Sequence, residues 1–402
     1  MKCITLFFSF CLIAIFSIAQ PNYDFSKLKR ERLGRGVIAI RENPSTVAVS
    51  WRYLSSDPMN ESFDIYRNDE KINKHPLKDA TFFQDTYAGT ESVLYTVKAR
   101  EGKTESSYQL PANAPLGYLN IPLNRPEDGT TPSGQNYFYA PNDASIGDVD
   151  GDGCDEIIYG SCAIDHNGKG LYTTEMGHGD AIHLTHFDPS RKGLQVWDCH
   201  ENKRDGSTYR DAATGEVLFQ IKDNTDVGRC MAADIDPTQP GVEMWSVASG
   251  GIRNVKGEVV KDRVRGLSCN MAVWWDGDLL RELLDRNMVS KYNWEKGVCE
   301  RIAIFEGTLS NNGTKANPCL QGDIVGDWRE EILMRTADNT ALRLYVSTIP
   351  TDYRFHTFLE DPIYRISIAT QNVAYNQPTQ PGFYFGPELQ GTVFRGCKIP
   401  KK

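Results

Sequence analysis

The sequence predicts an all-β protein in which an N-terminal β-sandwich precedes a β-propeller. Between residues 32 and 110, apolar and polar residues alternate over short runs that Pro, Asn, Asp or Gly separate. After residue 128, a unit made of an Asp-rich turn and a strand recurs, and helical periodicity is almost absent. At 402 residues the chain is long enough for about two to three domains, each with its own core.

Residues 20–112 are predicted to form the sandwich, of the fibronectin or immunoglobulin type. Alternation with period two and frequent turns is typical of short antiparallel strands. We expect Trp51, Tyr66 and Tyr95 to supply the core, which is the usual role of aromatic residues at inward strand positions. The stretch at 111–127, which contains Ala, Pro and Asn, is interpreted as a linker. The predicted strands include VIAI (37–40), TVAVSW (46–51), SFDIYR (62–67) and VLYTV (93–97).

Residues 128–402 are predicted to form the propeller. Repeats at a spacing of roughly 40 to 50 residues, with strand signals, are typical of blades that are four-stranded sheets. A second repeated motif, a turn between two strands, begins at Tyr209 and at Val273. Unrelated β-rich domains, the alternative, would not reuse one Asp-turn-strand unit. That unit begins at Asp148, His186, Asp234 and Asp323.

The N-terminus has the pattern of a secretory signal peptide over residues 1–19. Lys2 precedes an apolar run from Ile4 to Ile18, and the small residue Ala19 lies just before Gln20. A membrane anchor is the alternative, but the run is shorter than the roughly 20 apolar residues that a span requires. We therefore expect a secreted or periplasmic protein without a transmembrane segment.

The charge balance limits the classes of partner. With 44 Lys and Arg against 53 Asp and Glu, the formal net charge is -9, which argues against nucleic-acid binding. An acidic substrate would require a bound cation or a local basic cluster. The cysteines lack CxxC pairs and metal-finger spacing, so we expect small buried side chains and leave their pairing open. Those that follow the predicted signal are Cys154, Cys162, Cys199, Cys230, Cys269, Cys299, Cys319 and Cys397.

The turn DVDGDGCDE has the residue types of a calcium site. Carboxylates at alternate positions, a glycine for the sharp turn and a closing glutamate provide the hard oxygen ligands that calcium prefers. The alternative is a blade turn that its own Asp side chains stabilise without an ion. That alternative is stronger for Asp234, Asp236 and Glu243, where Pro237 and a longer loop replace the central glycine. The predicted ligands in the first turn are Asp148, Asp150, Asp152 and Glu156.

The segment GHGDAIH at 177–183 contains a second candidate metal site. His178 and Asp180 are two residues apart, so in a strand both side chains would project to one face. A glycine on each side of His178 leaves room for a ligand to approach. The alternative is that His178 is an ordinary structural histidine, since His183, His186 and His200 lie nearby in the sequence.

Many ordered motifs between Leu33 and Phe385 resemble the rhamnogalacturonan lyases of polysaccharide lyase family eleven. The resemblance implies a β-sandwich with a calcium-containing propeller. It also implies β-elimination at the rhamnose-galacturonate linkage of rhamnogalacturonan I, an acidic plant polysaccharide of pectin. Separately from the resemblance, we expect a monomer. The motifs are LGRGVIAIR, VSWR, FDIYRN, YFYAPNDASIGDVDGDG, DEIIYGS, GHGDAIH, RDAATGEVLF, DVGRCMAADID, SNNGTK, GDWREEI and QNVAYNQP.

The chain departs from the family pattern at Asp148–Gly153. In the family, further blades separate the GDVDGDG that follows YAPNDAS from a second DVDGDG that precedes DEIIYGS. Here the two are one motif. We therefore expect fewer blades, and the loss of a further histidine that joins the HGD pair on calcium in the family.

The resemblance also implies roles for residues of the predicted cleft. Lys315 would be the base, with its pKa lowered by Arg229 or calcium, and Arg229 would bind the uronate carboxylate. Tyr375 would donate a proton or support a sugar ring. Taken alone, the patterns leave an exposed turn lysine, a blade-edge salt bridge and a core tyrosine as alternatives. The implied calcium ligands are His178 and Asp180, and the implied sugar-binding residues are Asn142, Asn312, Gly313, Thr314, Asn372 and Asn376.

Two other functions stay open at the level of sequence. One is a non-catalytic glycan-binding propeller that keeps the sugar-contacting loops. The other is a protein-interaction propeller of the integrin type, whose blades also carry calcium loops. The loops NNGTK and QNVAYNQP favour a lyase or a glycan-binding protein, because blade stability alone does not require them. Endo and exo action are not distinguished.

Overall fold

The fold is taken from a computed structural model, which describes residues 35–122, 127–137, 157–164, 170–191, 193–248, 251–371 and 384–385. The predicted signal peptide, 1–19, lies outside these residues. Predicted site residues that also lie outside them are Asn142, Asp148, Asp150, Asp152, Glu156, Asn372, Tyr375 and Asn376.

The N-terminal part is a sandwich of two antiparallel sheets, as predicted. The first sheet has the order β1-β2-β5 and the second has the order β4-β3-β6-β7. The predicted apolar runs all fall within or overlap these strands. The strands are β1 (Ile38–Asn43), β2 (Thr46–Ser50), β3 (Phe63–Arg67), β4 (Glu70–Lys71), β5 (Phe82–Thr86), β6 (Val93–Ala99) and β7 (Glu105–Leu110).

The core between the two sheets contains two of the three aromatic residues predicted for it. Trp51 and Tyr95 are fully buried. The prediction for Tyr66 is wrong: its ring is half-buried, and the Lys98 ammonium lies 5.0 Å from the ring centroid. Period two explains the difference, because Phe63 and Ile65 face the core and Tyr66 therefore faces outward.

The second part is built from sheets that follow one another along the chain, as in a propeller. We call them blade A (β11–β13), blade B (β14–β17), blade C (β18–β21), blade D (β22–β25) and blade E (β26–β29 with β8). A two-stranded hairpin, β9–β10, precedes blade A. The strands are β8 (Tyr118–Pro122), β9 (Gly129–Thr130), β10 (Asn136–Tyr137), β11 (Ile157–Tyr159), β12 (Cys162–Ile164), β13 (Gly170–Thr173), β14 (Ile182–Thr185), β15 (Gln195–Cys199), β16 (Ser207–Asp211), β17 (Val217–Ile221), β18 (Cys230–Ala233), β19 (Glu243–Ser246), β20 (Ile252–Arg253), β21 (Val259–Lys261), β22 (Met271–Val273), β23 (Glu282–Asp285), β24 (Met288–Asn293), β25 (Val298–Ile304), β26 (Thr308–Leu309), β27 (Leu320–Gly322), β28 (Glu331–Thr336) and β29 (Ala341–Tyr345).

Strand β8, which precedes blade A in the sequence, pairs with the last blade. It lies within the stretch 111–127 that the sequence analysis interpreted as a linker, yet it pairs antiparallel with β29, and Leu119 lies opposite Leu344. Leu119 also packs against the core of blade E. The linker interpretation is therefore wrong for this strand. Its two apolar residues, Leu119 and Ile121, are too few to stand out from the surrounding Pro and Asn.

The repeated Asp turns have a common structural feature in blades B to E. The first residue of the strand that follows each turn is Glu or Gln, and its side chain accepts backbone N–H groups of that turn. These hydrogen bonds stabilise the turn. The motif at Val273 is therefore the Asp turn of blade D, and the motif at Tyr209 is the β16–β17 hairpin. We call these side chains the clamp residues: Gln195, Glu243, Glu282 and Glu331.

One α-helix, α1 (Pro362–Thr370), stands out in the described part of this all-β chain. The Asp361 side chain caps its N-terminus by accepting from Tyr364 N at 2.9 Å, and Pro362 occupies the first turn. At the other end, the Gln371 amide accepts from the Gln321 backbone N–H and donates to its carbonyl. Within the described residues, no helix has the length and apolar character that crossing a membrane requires.

Candidate active site on the propeller

The first strands of blades B, C and D lie next to one another, because β14 contacts β18 and β18 contacts β22. They are therefore the inner strands of the propeller. Asp180, Arg229 and Asn270 each lie one or two residues before the inner strand of successive blades. Equivalent positions in neighbouring blades lie at the same end of the propeller axis. We call these three residues and Lys315 the rim.

Lys315 reaches the rim from blade E. Its Nζ is 3.0 Å from Asp180 Oδ2, and both side chains are only 16% exposed. The turn before Lys315 is unusual because Asn312 and Gly313 both adopt positive φ, at 59° and 58°. Asn311 N donates to Asn317 O at 2.7 Å and closes the base of the turn. Lys315 is thus not an ordinary exposed turn lysine, which favours the functional interpretation of NNGTK.

Arg229 contacts the same turn. Its Nη2 donates to Thr314 Oγ1 at 2.7 Å, and its Nη1 is 3.4 Å from Asn270 Oδ1. Among the described residues, Arg229 contacts Thr314 and Asn270 and forms no ion pair with a carboxylate, so it is not the blade-edge salt bridge that the sequence alone allows. Its positive charge is therefore available to an anionic ligand at the rim.

His178 and Asp180 form a group with a residue that the sequence analysis missed. The ligand atoms of His178, Asp180 and Glu201 all lie within 4.8 Å of one another, so the three could hold a metal ion. His178 Nδ1 is 3.2 Å from Glu201 Oε2. The β14–β15 hairpin brings Glu201 there, since Glu201 N donates to His178 O at 3.0 Å. The register of this hairpin is the signal that could have identified Glu201 from the sequence.

The glycines beside His178 have packing roles. A Cβ at Gly179 would lie 2.0 Å from the Cys199 carbonyl oxygen. Gly177 has φ of +75°, and a Cβ there would lie 2.7 Å from the Asn202 amide nitrogen. The expectation that these glycines leave room for a ligand is therefore wrong, although the His178 side chain is itself 71% exposed.

The other three histidines of this region are structural. His183 is buried, and its Nε2 lies 3.0 Å from the Cys230 carbonyl oxygen. Burial lowers the pKa of His183 to about 4. His200 bonds to Thr208, and His186 bonds to the Arg191 carbonyl. The structural alternative is thus correct for these three, while His178 alone is exposed beside two carboxylates.

The predicted sugar-binding residues of the described chain lie on the Lys315 turn. A Cβ at Gly313 would meet no atom within 4 Å, so this residue faces open space. The Asn312 amide donates to Asn317 Oδ1 at 3.2 Å, and Thr314 contacts Arg229. The turn thus has an open surface next to two basic side chains.

A second acidic group, in the Asp turn of blade D, already contains a cation. Asp276, Asp278 and Glu282 could together hold a metal ion by their spacing. The Lys291 ammonium, however, bonds to all three carboxylates, at 2.6 Å to Asp278 and 3.1 Å to Glu282. Burial disfavours the charged form of Lys291, but the carboxylates outweigh this effect and raise its pKa above the ordinary value. This group is structural.

Comparison with known proteins identifies the family. The sequence profile described as "Rhamnogalacturonan lyase family 11, C-terminal domain" matches residues 118–154 and 145–393. The chain belongs to this family. A second profile, "Rhamnogalacturonan I lyases beta-sheet domain", matches residues 28–113. The family predicted from the motifs is therefore confirmed.

Two curated relatives are similar to a large part of the chain. The rhamnogalacturonan endolyase YesW of Bacillus subtilis (strain 168) is 52% identical over 244 residues, which are 60% of this chain and 39% of that protein. The exolyase YesX of the same organism is 49% identical over 263 residues, 61% of this chain and 43% of that protein. The chain thus matches about two fifths of the length of these family 11 relatives.

Solved structures of the same family have the same fold. The crystal structure of YesW superimposes with a TM-score of 0.82 at 29% identity, over 89% of this chain and 97% of that chain. A family 11 lyase of Bacillus licheniformis gives a TM-score of 0.81 at 28% identity, over 89% and 97%. The predicted sandwich and propeller are confirmed.

The family profile matches residues 145–154 twice, once in each of its two segments. A double match is what the departure at Asp148–Gly153 predicts, since one motif here stands for two motifs of the family.

Proposed function

We propose that this protein is a rhamnogalacturonan lyase that cleaves the rhamnose-galacturonate backbone of rhamnogalacturonan I by β-elimination in a calcium-dependent reaction. The observation that carries the proposal is the rim itself, where Lys315 and Arg229 meet the Asp180 carboxylate and the Thr314 hydroxyl. Elimination from galacturonate requires a base for the proton at C5 and positive charge beside the carboxylate. The rim provides residues for both requirements.

Calcium would be held by His178, Asp180 and Glu201. The fit is supported by two carboxylates and one imidazole whose ligand atoms lie within 4.8 Å of one another, with His178 open to solvent. These ligands leave further positions for water and a sugar carboxylate, which suits a cation that takes six to eight ligands. Bound there, calcium would neutralise uronate charge and so increase the acidity of the C5 proton.

Lys315 is the proposed base, and it can act only as the neutral amine. Its Nζ lies 3.0 Å from Asp180 Oδ2, so this contact has to open before Nζ can reach the C5 proton. The Arg229 guanidinium is held on the neighbouring Thr314 and therefore lies beside the Lys315 turn.

Arg229 is proposed to bind the uronate carboxylate. Its planar guanidinium has five N–H donors, and the described structure shows side-chain oxygens at two of its nitrogens. A local positive charge is required because the protein as a whole has a formal charge of -9 and would otherwise repel an anionic polymer.

The test is to incubate the purified protein with rhamnogalacturonan I in calcium and to follow the ultraviolet absorbance of the unsaturated uronide. We expect a signal that a chelator and Lys315→Ala both abolish. Lys296→Ala is the matched control, because Lys296 also pairs with a carboxylate but lies on a surface hairpin. Polysaccharide binding without absorbance would instead support the glycan-binding alternative, and absence of both would contradict the proposal.

We further propose that the protein is a monomer and acts outside the cytoplasm, where a plant polysaccharide is accessible. The apolar N-terminal run supports the second point. N-terminal sequencing of protein recovered from the periplasm or medium should give a chain that begins near Gln20, and sedimentation should give a mass near that of one chain.

A further inference from the structure

We propose that Asn270 and Asp285 are positioning residues that orient Arg229 and leave it without an ion pair while tying it to the Lys315 turn. The inference deepens the proposed function and rests on it. Asn270 is the rim residue of blade D and is 6% exposed, and no sequence motif singled it out. Its side chain touches three other parts of the site.

The contacts of Asn270 link three elements. Its Nδ2 donates to Asp285 Oδ1 at 2.7 Å and lies 3.4 Å from the Thr314 carbonyl oxygen. Its Oδ1 lies 3.4 Å from Arg229 Nη1. Arg229 in turn donates to Thr314 Oγ1 at 2.7 Å. Asn270, Arg229 and Thr314 therefore form a closed set of contacts beneath Lys315.

The chemistry of the partners fixes the orientation of the amide. An ionised carboxylate only accepts hydrogen bonds and a guanidinium only donates them. The Asn270 nitrogen must therefore face Asp285 and its oxygen must face Arg229, since a flipped amide would put acceptor against acceptor and donor against donor. Asp285, at the end of β23, thereby determines which atom Asn270 presents to Arg229.

The neutral amide also separates Arg229 from Asp285. An aspartate at position 270 would lose the hydrogen bond to Asp285, and repulsion from that carboxylate would favour an ion pair with the guanidinium, which would then attract a uronate less strongly. With alanine, Arg229 would lose its neighbour, and nothing would separate it from the Asp285 carboxylate. Asparagine is thus the residue type that orients the guanidinium without neutralising it.

A purely structural role is the competing interpretation, because Asn270 also connects blade D to the turn of blade E. Substrate affinity and turnover distinguish the two. If Arg229 binds the uronate in the ground state, Asn270→Asp should act mainly on KM. If Asn270 only stabilises the fold, KM and kcat of the folded enzyme should both stay near the wild-type values.

The experiment compares Asn270→Asp, Asn270→Ala, Asp285→Ala and Asp285→Asn in the full chain with rhamnogalacturonan I. We expect Asn270→Asp to raise KM about tenfold with kcat within about threefold, the size of one altered hydrogen bond to a charged group. Asn270→Ala and Asp285→Ala should lower kcat/KM about tenfold. Asp285→Asn, which keeps an acceptor for the Asn270 amide, should recover most of that loss.

Asn287→Ala is the matched control. Asn287 lies in the β23–β24 turn of blade D, two residues after Asp285, is half-buried and donates to the Phe305 carbonyl at 3.2 Å. It should lower thermal stability by as much as Asn270→Ala while leaving KM unchanged. Equal KM in Asn270→Asp and wild type, or an equal KM change in Asn287→Ala, would overturn the positioning role.

A second readout does not require lyase activity. The rate at which an amine-reactive reagent labels Lys315, followed by mass spectrometry, should rise about threefold in Asn270→Ala, since the turn loses one of its hydrogen bonds. Wild-type protein that is inactive on the polysaccharide would defeat the proposed function, and the labelling rates would still decide the positioning role. Unchanged labelling in Asn270→Ala would count against it.

Discussion

The ammonium of Lys315 lies 3.0 Å from the Asp180 carboxylate, so the position of the lysine side chain depends on whatever else Asp180 binds. The two residues are 135 positions apart in sequence and belong to different blades. No local pattern joins them. The family resemblance placed HGD and NNGTK in one cleft beside calcium, but it did not specify the direct ion pair between Asp180 and Lys315, which depends on how the two blades are arranged.

Asp180→Asn should reduce lyase activity about 100-fold, because it removes both the partner of Lys315 and a proposed calcium ligand. Labelling of Lys315 by an amine reagent should increase at the same time, since the ammonium loses its ion pair. Asp338→Asn is the control, because an amide can replace the carboxylate that accepts from Thr340 in a surface turn. Activity that survives Asp180→Asn would contradict the role of the rim.

His183 should make the protein less stable in acid. Its pKa is lowered to about 4 by burial, whereas an unfolded histidine has a pKa of about 6.5. Between these values the unfolded chain binds a proton that the folded chain does not, so stability falls as pH falls from about 6.5 to about 4. The loss amounts to about 3 kcal/mol. Denaturant unfolding at pH 7 and pH 4.5 would measure it.

His183→Gln is the control for that pH dependence. Glutamine keeps a donor for the Cys230 carbonyl but does not titrate, so the stability difference between the two pH values should shrink by most of the His183 contribution. An unchanged pH dependence would show that other groups cause the acid sensitivity.

At the scale of the element, the Asp turns are held by their clamp residues. Gln195 in blade B accepts hydrogen bonds from two consecutive backbone N–H groups, and Glu243 accepts from the equivalent pair in blade C. The neutral amide of Gln195 thus accepts two hydrogen bonds just as the carboxylate of Glu243 does, so a charged side chain is not required to close the turn. The sequence repeat was visible because the turn depends on side chains at fixed spacing.

Lys291→Met should destabilise the protein by about 3 kcal/mol, because it leaves the buried Glu282 carboxylate and two Asp side chains without a counter-ion. The effect should be smaller at pH 5 than at pH 8. Burial already raises the pKa of Glu282 to about 8, so acid allows the carboxyl to lose its charge. Thermal unfolding at both pH values tests this, and Lys296→Met should change stability by less than about 0.5 kcal/mol.

Helix α1 is an element that the sequence analysis did not predict. The Asp-Pro pair at 361–362 is a recognised helix start, yet nine residues are too few for a clear 3.6-residue period. The contacts that hold the helix come from elsewhere, through Gln321 and through the Tyr364 hydroxyl, which bonds to the buried Glu330. Tertiary contacts, not local propensity, account for it.

For the whole molecule, the sandwich and the propeller share an interface centred on Tyr53. Its ring lies 4.7 Å from the His356 ring, and the Arg354 guanidinium lies 4.2 Å from the ring centroid. Its carbonyl accepts from Thr357 N at 3.1 Å. Both domains were predictable from their own periodicities, but this interface was not, since apolar alternation says nothing about which aromatic residue faces another domain.

Tyr53→Ala should cost about 3 kcal/mol and separate the unfolding of the two domains, because it leaves a cavity where the fully buried ring lay. Scanning calorimetry should then show two transitions in place of one. Tyr66→Ala, on the outer face of the sandwich, should preserve a single transition and lower stability by less than about 1 kcal/mol. Two transitions already in the wild type would contradict the premise that the sandwich and the propeller unfold together.

Strand β8 has a consequence for biosynthesis. The ribosome makes it before any strand of blades A to D, yet its partner β29 is among the last strands to emerge. A nascent chain that ends before Ala341 therefore carries an edge strand with no neighbour to bond. The outermost strand of blade E is thus synthesised early and docked late, and the growing polypeptide has to keep it from pairing with other chains in the interval.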